Sequence, residues 1–219
     1  MIGMDLAFRC AFVRENTQPR QPAIVPELTL HLAGGAAPIW KLSEDELNVL
    51  GLPPPYWSYA WAGGQGLARY LLDNPGVVAG QRVVDFATGS GVAAIAAAKA
   101  GAAAVLAADV DPFCEAAVGL NAERNGVTVQ FTDANLLGHR PPIADMILAG
   151  DAWYRGPLAA ELMAWLRTAR AAGTRVLLGD PGRTFFPAEG VAKLAEYAVP
   201  TIGELEGADV MRATVWEMD

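Results

Sequence analysis

Short apolar runs alternate with longer helical patterns over most of the chain after residue 63. The runs are rich in valine and leucine and predict five strands, at residues 83–86, 105–108, 129–131, 146–149 and 176–178. Apolar side chains at helical spacing predict helices in five further segments, at residues 66–74, 92–100, 112–125, 157–171 and 189–194. Strands that are apolar along their whole length are typical of a parallel sheet with helices on both faces. The pattern therefore predicts an α/β fold.

The two ends of the chain depart from this alternation. Residues 195–202 and 210–218 are extended runs joined by a short Gly- and Glu-containing connection, and they predict a closing antiparallel pair. Residues 1–62 are rich in proline and mostly aperiodic, apart from an alternating segment at residues 27–32 and a capping box that begins at Ser43. We therefore expect an N-terminal arm or lid over residues 1–62 and one ligand-binding domain over residues 63–219.

Composition excludes several classes of partner. The chain has 24 Asp and Glu against 16 Lys and Arg, a net charge of −8, so it lacks the basic surface that holds nucleic acids. Its longest apolar stretch, residues 92–108, is broken by Lys99 and Gly101 and is too short to span a membrane. Cys10 and Cys114 show no paired or metal-binding spacing, which predicts free thiols, no metal and a cytoplasmic protein.

A glycine turn follows the first predicted strand, at the edge of the sheet where α/β proteins bind ligands. Residues 85–91 read DFATGSG, and a helix with free N–H groups at its start comes next. Because Asp85 would repel a pyrophosphate, the turn favours a ligand that carries an ammonium group. The alternative is a tight strand–helix turn without a ligand.

Acidic residues follow the next two strands as well. Asp109 lies about 20 positions beyond the glycine turn, where an acid can bind ribose hydroxyls. Asp111 has an alternative role as the N-cap of a helix that begins at Pro112. Asp133 follows the third strand and is placed either to accept from an adenine amino group or to cap a turn.

The fourth and fifth strands end in different chemistry. Asp151 is followed by Trp153 and Tyr154, which is unusual for a plain turn, although a capped helix start with packed rings is the alternative. Residues 180–183, DPGR, carry turn chemistry.

Together these motifs resemble class I S-adenosylmethionine-dependent methyltransferases. The chain departs from that pattern at Ala87, where glycine is usual, and alanine is tolerated there if the position does not need a positive φ. Further segments are similar to the electron transfer flavoprotein β-subunit lysine methyltransferase family and its bacterial relatives, at residues 15–17, 53–75, 109–112, 151–154, 179–183 and 214–216. The resemblance implies a Rossmann-like α/β sheet of seven mostly parallel strands, with the last strand antiparallel and helices on both faces.

The resemblance also implies S-adenosyl-L-methionine as the cofactor. The residues expected to bind it are Trp61, Asp85, Ala87, Thr88, Gly89, Gly91, Asp109, Val110, Asp133, Ala134 and Asp151. The stretch that contains Trp57, Tyr59, Trp61, Gly63 and Gln65 is expected to fold over the cofactor. Trp57 and Trp61 have the alternative role of core rings that fix the arm to the domain.

The implied activity is N-methylation of a protein lysine, with the β subunit of electron transfer flavoprotein as the suspected substrate. The resemblance further implies that Asp151 orients the lysine nitrogen while Trp153 and Tyr154 form the walls of its channel. An acidic enzyme surface suits a lysine-bearing partner. Three alternatives remain: a small-molecule amine N-methyltransferase, a non-catalytic nucleotide-binding partner protein, and an NAD-linked oxidoreductase, which the glycine spacing fits poorly.

Overall fold

Two sheets of unequal size organise the protein, whose residues 5–187 and 189–219 are described by a computed structural model. The small sheet pairs β1 (Gln18–Arg20) with β2 (Leu30–Leu32). The large sheet contains seven strands: β3 (Arg82–Phe86), β4 (Ala104–Ala108), β5 (Gln130–Thr132), β6 (Met146–Gly150), β7 (Arg175–Asp180), β8 (Val191–Pro200) and β9 (Val210–Met218).

The large sheet has the strand order β5-β4-β3-β6-β7-β9-β8. Strands β3 to β7 are parallel, and β9 is antiparallel to both of its neighbours. This arrangement confirms the predicted fold class. Phe86 lies opposite Ala108 on one side and Ala149 on the other, so the residues that follow these strands meet at one edge.

Seven α-helices accompany the sheets within the described ranges: α1 (Leu6–Asn16), α2 (Glu44–Leu50), α3 (Ala62–Asp73), α4 (Val92–Lys99), α5 (Pro112–Asn125), α6 (Gly156–Ala171) and α7 (Gly203–Glu206). Their ends follow the sequence signals. Asp111 caps α5 with Pro112 at its first position, and Ser43 forms the predicted capping box of α2. None of these helices combines the length and the apolar character that crossing a membrane would require.

The core lies on both faces of the large sheet. On one face, Leu162 and Trp165 of α6 pack on Ile147 of β6. On the other, Leu67 of α3 packs near Leu148. Each such fully buried aliphatic or aromatic side chain contributes about 1.5–3 kcal/mol. Two-sided burial explains why the parallel strands are apolar along their length.

The helix predicted at residues 189–194 is wrong. β8 begins at Val191, which pairs with Met218 of β9, and continues to Pro200. This strand lies at the edge of the sheet and is exposed or half-buried except at Val199, so backbone pairing with β9 overrides the local pattern. The sequence also missed α1, because that helix has only Val13 fully buried and gives little periodicity.

Residues 5–61 pack on the helices of the large sheet. Trp57 and Val13 share a cluster with Phe113 of α5, while Leu30 of β2 packs in a cluster with Ile95 of α4. The division between an arm of residues 1–62 and a domain of residues 63–219 stays a prediction.

Candidate active site

A cavity of about 470 Å³ lies at the carboxyl edge of the parallel strands. This volume is in the range of ligand pockets, roughly 300–1,000 Å³. Eight residues predicted for the site line it: Trp61, Ala87, Gly89, Asp109, Val110, Ala134, Asp151 and Tyr154. Further lining residues were not predicted, among them Tyr56, Phe86, Asp111, Cys114, Asn135, Leu136, Glu161, Arg183 and Leu205.

The glycine turn after β3 is left-handed at three positions. Gly89 and Gly91 have φ of 52° and 80°, and Ala87 has φ of 54°. An L-residue in this conformation costs about 1–2 kcal/mol. Position 87 therefore does need a positive φ, and alanine does not replace glycine there without strain. Gly91 also caps α4, where a Cβ would lie 3.0 Å from Val118.

Asp85 lies beneath this turn and does not line the cavity. Its carboxylate accepts from Thr88 Oγ1 at 2.6 Å and from the Ala94 N–H at 3.1 Å. Burial raises the pKa of Asp85 to about 7, against these hydrogen bonds. Asp85 and Thr88 therefore fasten the turn to the start of α4 from below.

Asp109 holds the cavity side of the same turn. Its Oδ2 accepts from the Gly89 N–H at 3.0 Å, and its Oδ1 accepts from the Asp111 N–H at 3.1 Å. The two carboxylate oxygens together have about four acceptor positions, so Asp109 keeps acceptor capacity for a ligand hydroxyl. Asp111 caps α5 through the Phe113 N–H at 2.8 Å, as its alternative role requires, and it also lines the cavity.

Asp133 is exposed and does not line the cavity, although its neighbours Ala134 and Asn135 do. Its contact with an adenine amino group stays a prediction.

Aromatic rings surround Trp61 on the cavity wall. The centres of Tyr59, Tyr56 and Trp40 lie 5.1, 5.8 and 6.1 Å from the centre of Trp61. Trp57 is instead fully buried and stacks on Phe113 at 5.9 Å, so it is a core ring. The structure thus separates two tryptophans that the sequence placed together.

Asp151 follows β6 in a left-handed conformation, with φ of 55°. Its Oδ2 accepts from the Gly64 N–H at 2.8 Å, and its Oδ1 accepts from Arg183 Nη2 at 2.7 Å. Burial raises the pKa of Asp151, and the charge of Arg183 opposes that rise. The carboxylate is therefore held from two sides at the cavity wall.

A backbone-to-backbone contact places α3 against this aspartate. A Cβ on Gly63 would lie 2.3 Å from the Gly179 carbonyl oxygen, and a Cβ on Gly179 would lie 2.2 Å from that of Gly63. A Cβ on Gly150 would lie 3.0 Å from Gly64. Only glycine permits this approach, which brings the Gly64 N–H onto Asp151.

Arg183 joins Asp151 to a second buried acid, Glu206, and the sequence did not predict this link. Its Nη2 also donates to Glu206 Oε2 at 3.3 Å, and Glu206 Oε1 accepts from the Ala62 N–H at 2.9 Å. Asp180 accepts from the N–H groups of Gly182 and Arg183, both at 2.7 Å. These two bonds form the turn that the sequence predicts at residues 180–183. The only sequence signal for Arg183 was its place in the segment 179–183, and Glu206 had none.

Trp153 corrects the predicted channel. It has no exposed surface and packs on Phe186 with ring centres 5.0 Å apart, because the turn at Asp151 directs it into the core beside α6. Tyr154 is 46% exposed, lines the cavity and lies 6.0 Å from Tyr56 between ring centres. The two tyrosines form the aromatic rim of the cavity.

The donor set of the cavity fits S-adenosylmethionine. Asp109 presents free lone pairs to a ribose, and Val110 and Leu136 offer apolar surface to an adenine. Trp61 presents a ring to a sulfonium, an attraction worth about 0.5–2 kcal/mol.

Comparison with known proteins agrees with this fit. A family model described as Ribosomal protein L11 methyltransferase (PrmA) matches residues 69–150. The electron transfer flavoprotein beta subunit lysine methyltransferase of Xenopus laevis is 38% identical over 95% of this chain and 86% of its own. That of Rattus norvegicus is 37% identical over 98% of this chain and 85% of its own.

A solved structure has the same fold. The magnesium protoporphyrin IX methyltransferase of Synechocystis PCC 6803, crystallised with bound S-adenosylmethionine, superposes with a TM-score of 0.51 at 16% identity. The match covers 71% of this chain and 79% of that protein.

Both of these relatives come from vertebrates, and a bacterial source, which the similarity to bacterial relatives would imply, stays a prediction. Their similarity confirms the resemblance found in the sequence. The protein is an S-adenosylmethionine-dependent methyltransferase, and its chain belongs to the electron transfer flavoprotein β-subunit lysine methyltransferase family.

Proposed function

We propose that this enzyme methylates a lysine side chain of the β subunit of electron transfer flavoprotein. The observation that carries the proposal is the match of 95% of the chain, at 38% identity, to a protein named for that substrate. A similarity that spans both the predicted cofactor residues and Asp151, which is predicted to orient the lysine, supports a shared acceptor as well as a shared cofactor.

The geometry of the cavity supports an amine acceptor. Asp109, Gly89, Asp151 and the half-exposed Tyr56 and Tyr154 all line this cavity. We call the part around Asp109 and Gly89 the cofactor end and the part around Asp151 the acceptor end. When bound, the cofactor supplies a methyl group on a sulfonium, which a neutral amine can take by in-line displacement. Asp151 would accept a hydrogen bond from that amine, and the two tyrosine rings would flank the aliphatic stem of the lysine.

Alignment is the main contribution that these residues can make. A well-oriented pair of reactants can gain about 7–11 kcal/mol over free encounter. Asp151 is suited to this work because the Gly64 N–H and Arg183 fix both of its oxygens.

The surface charge and the thiols support the rest of the proposal. A net charge of −8 favours encounter with a basic, lysine-bearing patch. The free thiols of Cys10 and Cys114 support a cytoplasmic location, since reducing compartments keep cysteines unpaired.

The test is incubation of the enzyme with tritiated S-adenosylmethionine and purified electron transfer flavoprotein, followed by mass spectrometry of the β subunit. We expect methyl groups on a lysine and loss of label when that lysine is replaced by arginine. Label confined to small amines would favour the small-molecule alternative. Cofactor binding without any transfer would favour the non-catalytic one.

A further inference from the structure

Arg183 lies between the acceptor end of the cavity and a group of buried acids. Its guanidinium contacts Asp151 and Glu206 and lies 5.6 Å from the centre of the Trp61 ring. The side chain is only 21% exposed, and it lines the cavity. The arginine can therefore influence whatever approaches Asp151.

The turn before Arg183 fixes where its side chain starts. Asp180 receives the N–H groups of Gly182 and Arg183, and Gly182 has φ of 93°. These bonds hold the backbone and leave the guanidinium free for Asp151 and Glu206. The arginine is thus placed before any substrate arrives.

The charge on Asp151 raises a difficulty that Arg183 can resolve. A free lysine has a pKa of about 10.4, and its ammonium form has no lone pair to receive a methyl group. An unpaired carboxylate beside the nitrogen would favour that unreactive form, because an opposite charge within ~4–6 Å shifts a pKa by about 1–3 units. The guanidinium, 2.7 Å from Asp151, supplies a compensating positive charge.

Resting on the function proposed above, we propose that Arg183 is a positioning residue that neutralises Asp151, so that the site takes the acceptor lysine as a neutral amine. The lysine ammonium first loses its proton to water, and the neutral amine then donates a hydrogen bond to Asp151. The nitrogen lone pair then forms the N–C bond, and the electron pair of the broken C–S bond stays on sulfur.

Several other groups face this site and enter its charge balance. Glu206 of α7 and Asp180 after β7 have pKa values raised by burial to about 7 and about 6. Burial raises the pKa of Tyr59 to about 12, so it stays protonated at neutral pH. Asp109 after β4 and Glu161 of α6 line the same cavity.

The first test is the pH dependence of kcat with electron transfer flavoprotein as acceptor. Arg183→Met removes the compensating charge. We therefore expect the acidic limb of the pH–kcat profile of this variant to move to higher pH by about one unit, and kcat at pH 7 to fall about tenfold. Arg183→Lys keeps the charge and should keep the wild-type limb, with a lower kcat from lost geometry. An unmoved limb in Arg183→Met overturns the proposal.

Two controls separate this effect from structural damage and from other titrations. Arg175 begins β7, the strand whose other end leads to Arg183, and it pairs with Glu217, so Arg175→Met should leave the limb in place. Glu206→Gln removes the neighbouring titration. A limb that disappears in Glu206→Gln assigns the titration to Glu206 and overturns the proposal, whereas the loss of a neighbouring negative charge should by itself move the limb only to lower pH.

The second test needs neither turnover nor a variant. Electron transfer flavoprotein is titrated calorimetrically into the wild-type enzyme with S-adenosylhomocysteine, in two buffers of different ionisation enthalpy. Binding a neutral amine at pH 7.5 should release about one proton, since a free lysine is protonated there. No release overturns the proposal even if Arg183→Met does not fold.

The two proposals fail in different ways. Absence of methylation and of binding by the wild type overturns the proposed function and this inference together. Methylation with an unmoved limb or without proton release overturns only the role of Arg183.

Discussion

The two ends of the cavity hold their carboxylates differently. At the cofactor end, Asp109 accepts from the N–H groups of Gly89 and Asp111, and within the described residues no side-chain cation is hydrogen-bonded to it. At the acceptor end, Asp151 is paired with Arg183. Backbone donors hold a carboxylate while leaving its negative charge in place, whereas an arginine offsets that charge.

This difference matches the ligands that each end is expected to meet. The cofactor carries a permanent sulfonium, which gains from uncompensated acids nearby. The acceptor amine must lose its charge to react, so a compensated acid serves it better. The substitutions below test this contrast.

Asp151→Asn should have the largest effect. Asparagine tolerates a positive φ, so the turn is kept, but Arg183 loses its main anionic partner. We expect kcat to fall about 10²-fold because the amine is misplaced, with cofactor affinity nearly unchanged. Steady-state kinetics and calorimetric cofactor titration check this. A comparable loss of cofactor affinity would place Asp151 at the cofactor end.

Gly179→Ala should have the next largest effect, on stability. The new Cβ meets the Gly63 carbonyl, a backbone atom that cannot move alone, so we expect a loss of about 1–3 kcal/mol. Thermal denaturation should show a melting temperature lower by about 2–10 °C.

Gly119→Ala is the matched control for that substitution. Gly119 lies in α5 with nothing within 4 Å of a new Cβ, so alanine should stabilise the helix by up to about 1 kcal/mol. Equal effects of the two substitutions would show that the glycine contact does not position α3.

Asp109→Ala should weaken the cofactor end alone. Loss of a charged hydrogen bond costs about 1–3 kcal/mol, so the cofactor Kd should rise roughly tenfold to a hundredfold. kcat at saturating cofactor should change little. Calorimetric titration of Asp133→Ala with the cofactor tests the predicted contact of Asp133 with the adenine. A cofactor Kd equal to that of the wild type would show that Asp133 is not part of the site.

Ala87→Gly should have the smallest effect. Relief of the left-handed strain, about 1–2 kcal/mol, is partly offset by the greater freedom of glycine in the unfolded chain, about 0.4–1 kcal/mol. We expect the melting temperature to rise by about 1–3 °C. Ala98→Gly, inside α4, should lower it instead, and a fall in both would contradict the strain at position 87.

The sequence predicted the parallel half of the fold well because buried strands and capped helices leave local signals. The residues 112–125 were assigned to a helix with the bounds observed, since Asp111, Pro112 and Gly126 mark both ends. β8 was partly mistaken for a helix because an edge strand depends on its partner more than on its own pattern.

The candidate site divides in the same way. Asp109 and Asp151 could be located because each directly follows a strand at the binding edge. The pairing of Arg183 with Asp151 and Glu206 could not, because it joins three residues that are far apart in the sequence. The left-handed backbone at Ala87 was indicated only by the glycine that is usual at this position in the family, since alanine itself does not favour that conformation.

The position of β9 between β7 and β8 also bears on how the enzyme is made. Both neighbours of β9 precede it in the chain, so β9 is synthesised after the two strands that it lies between. Until residues 210–218 emerge, β7 has an open edge and β8 has no partner, an arrangement prone to pairing with other chains. The parallel strands β3 to β7 can therefore pair before β9 is synthesised, whereas β8 can join the sheet only after β9 is present.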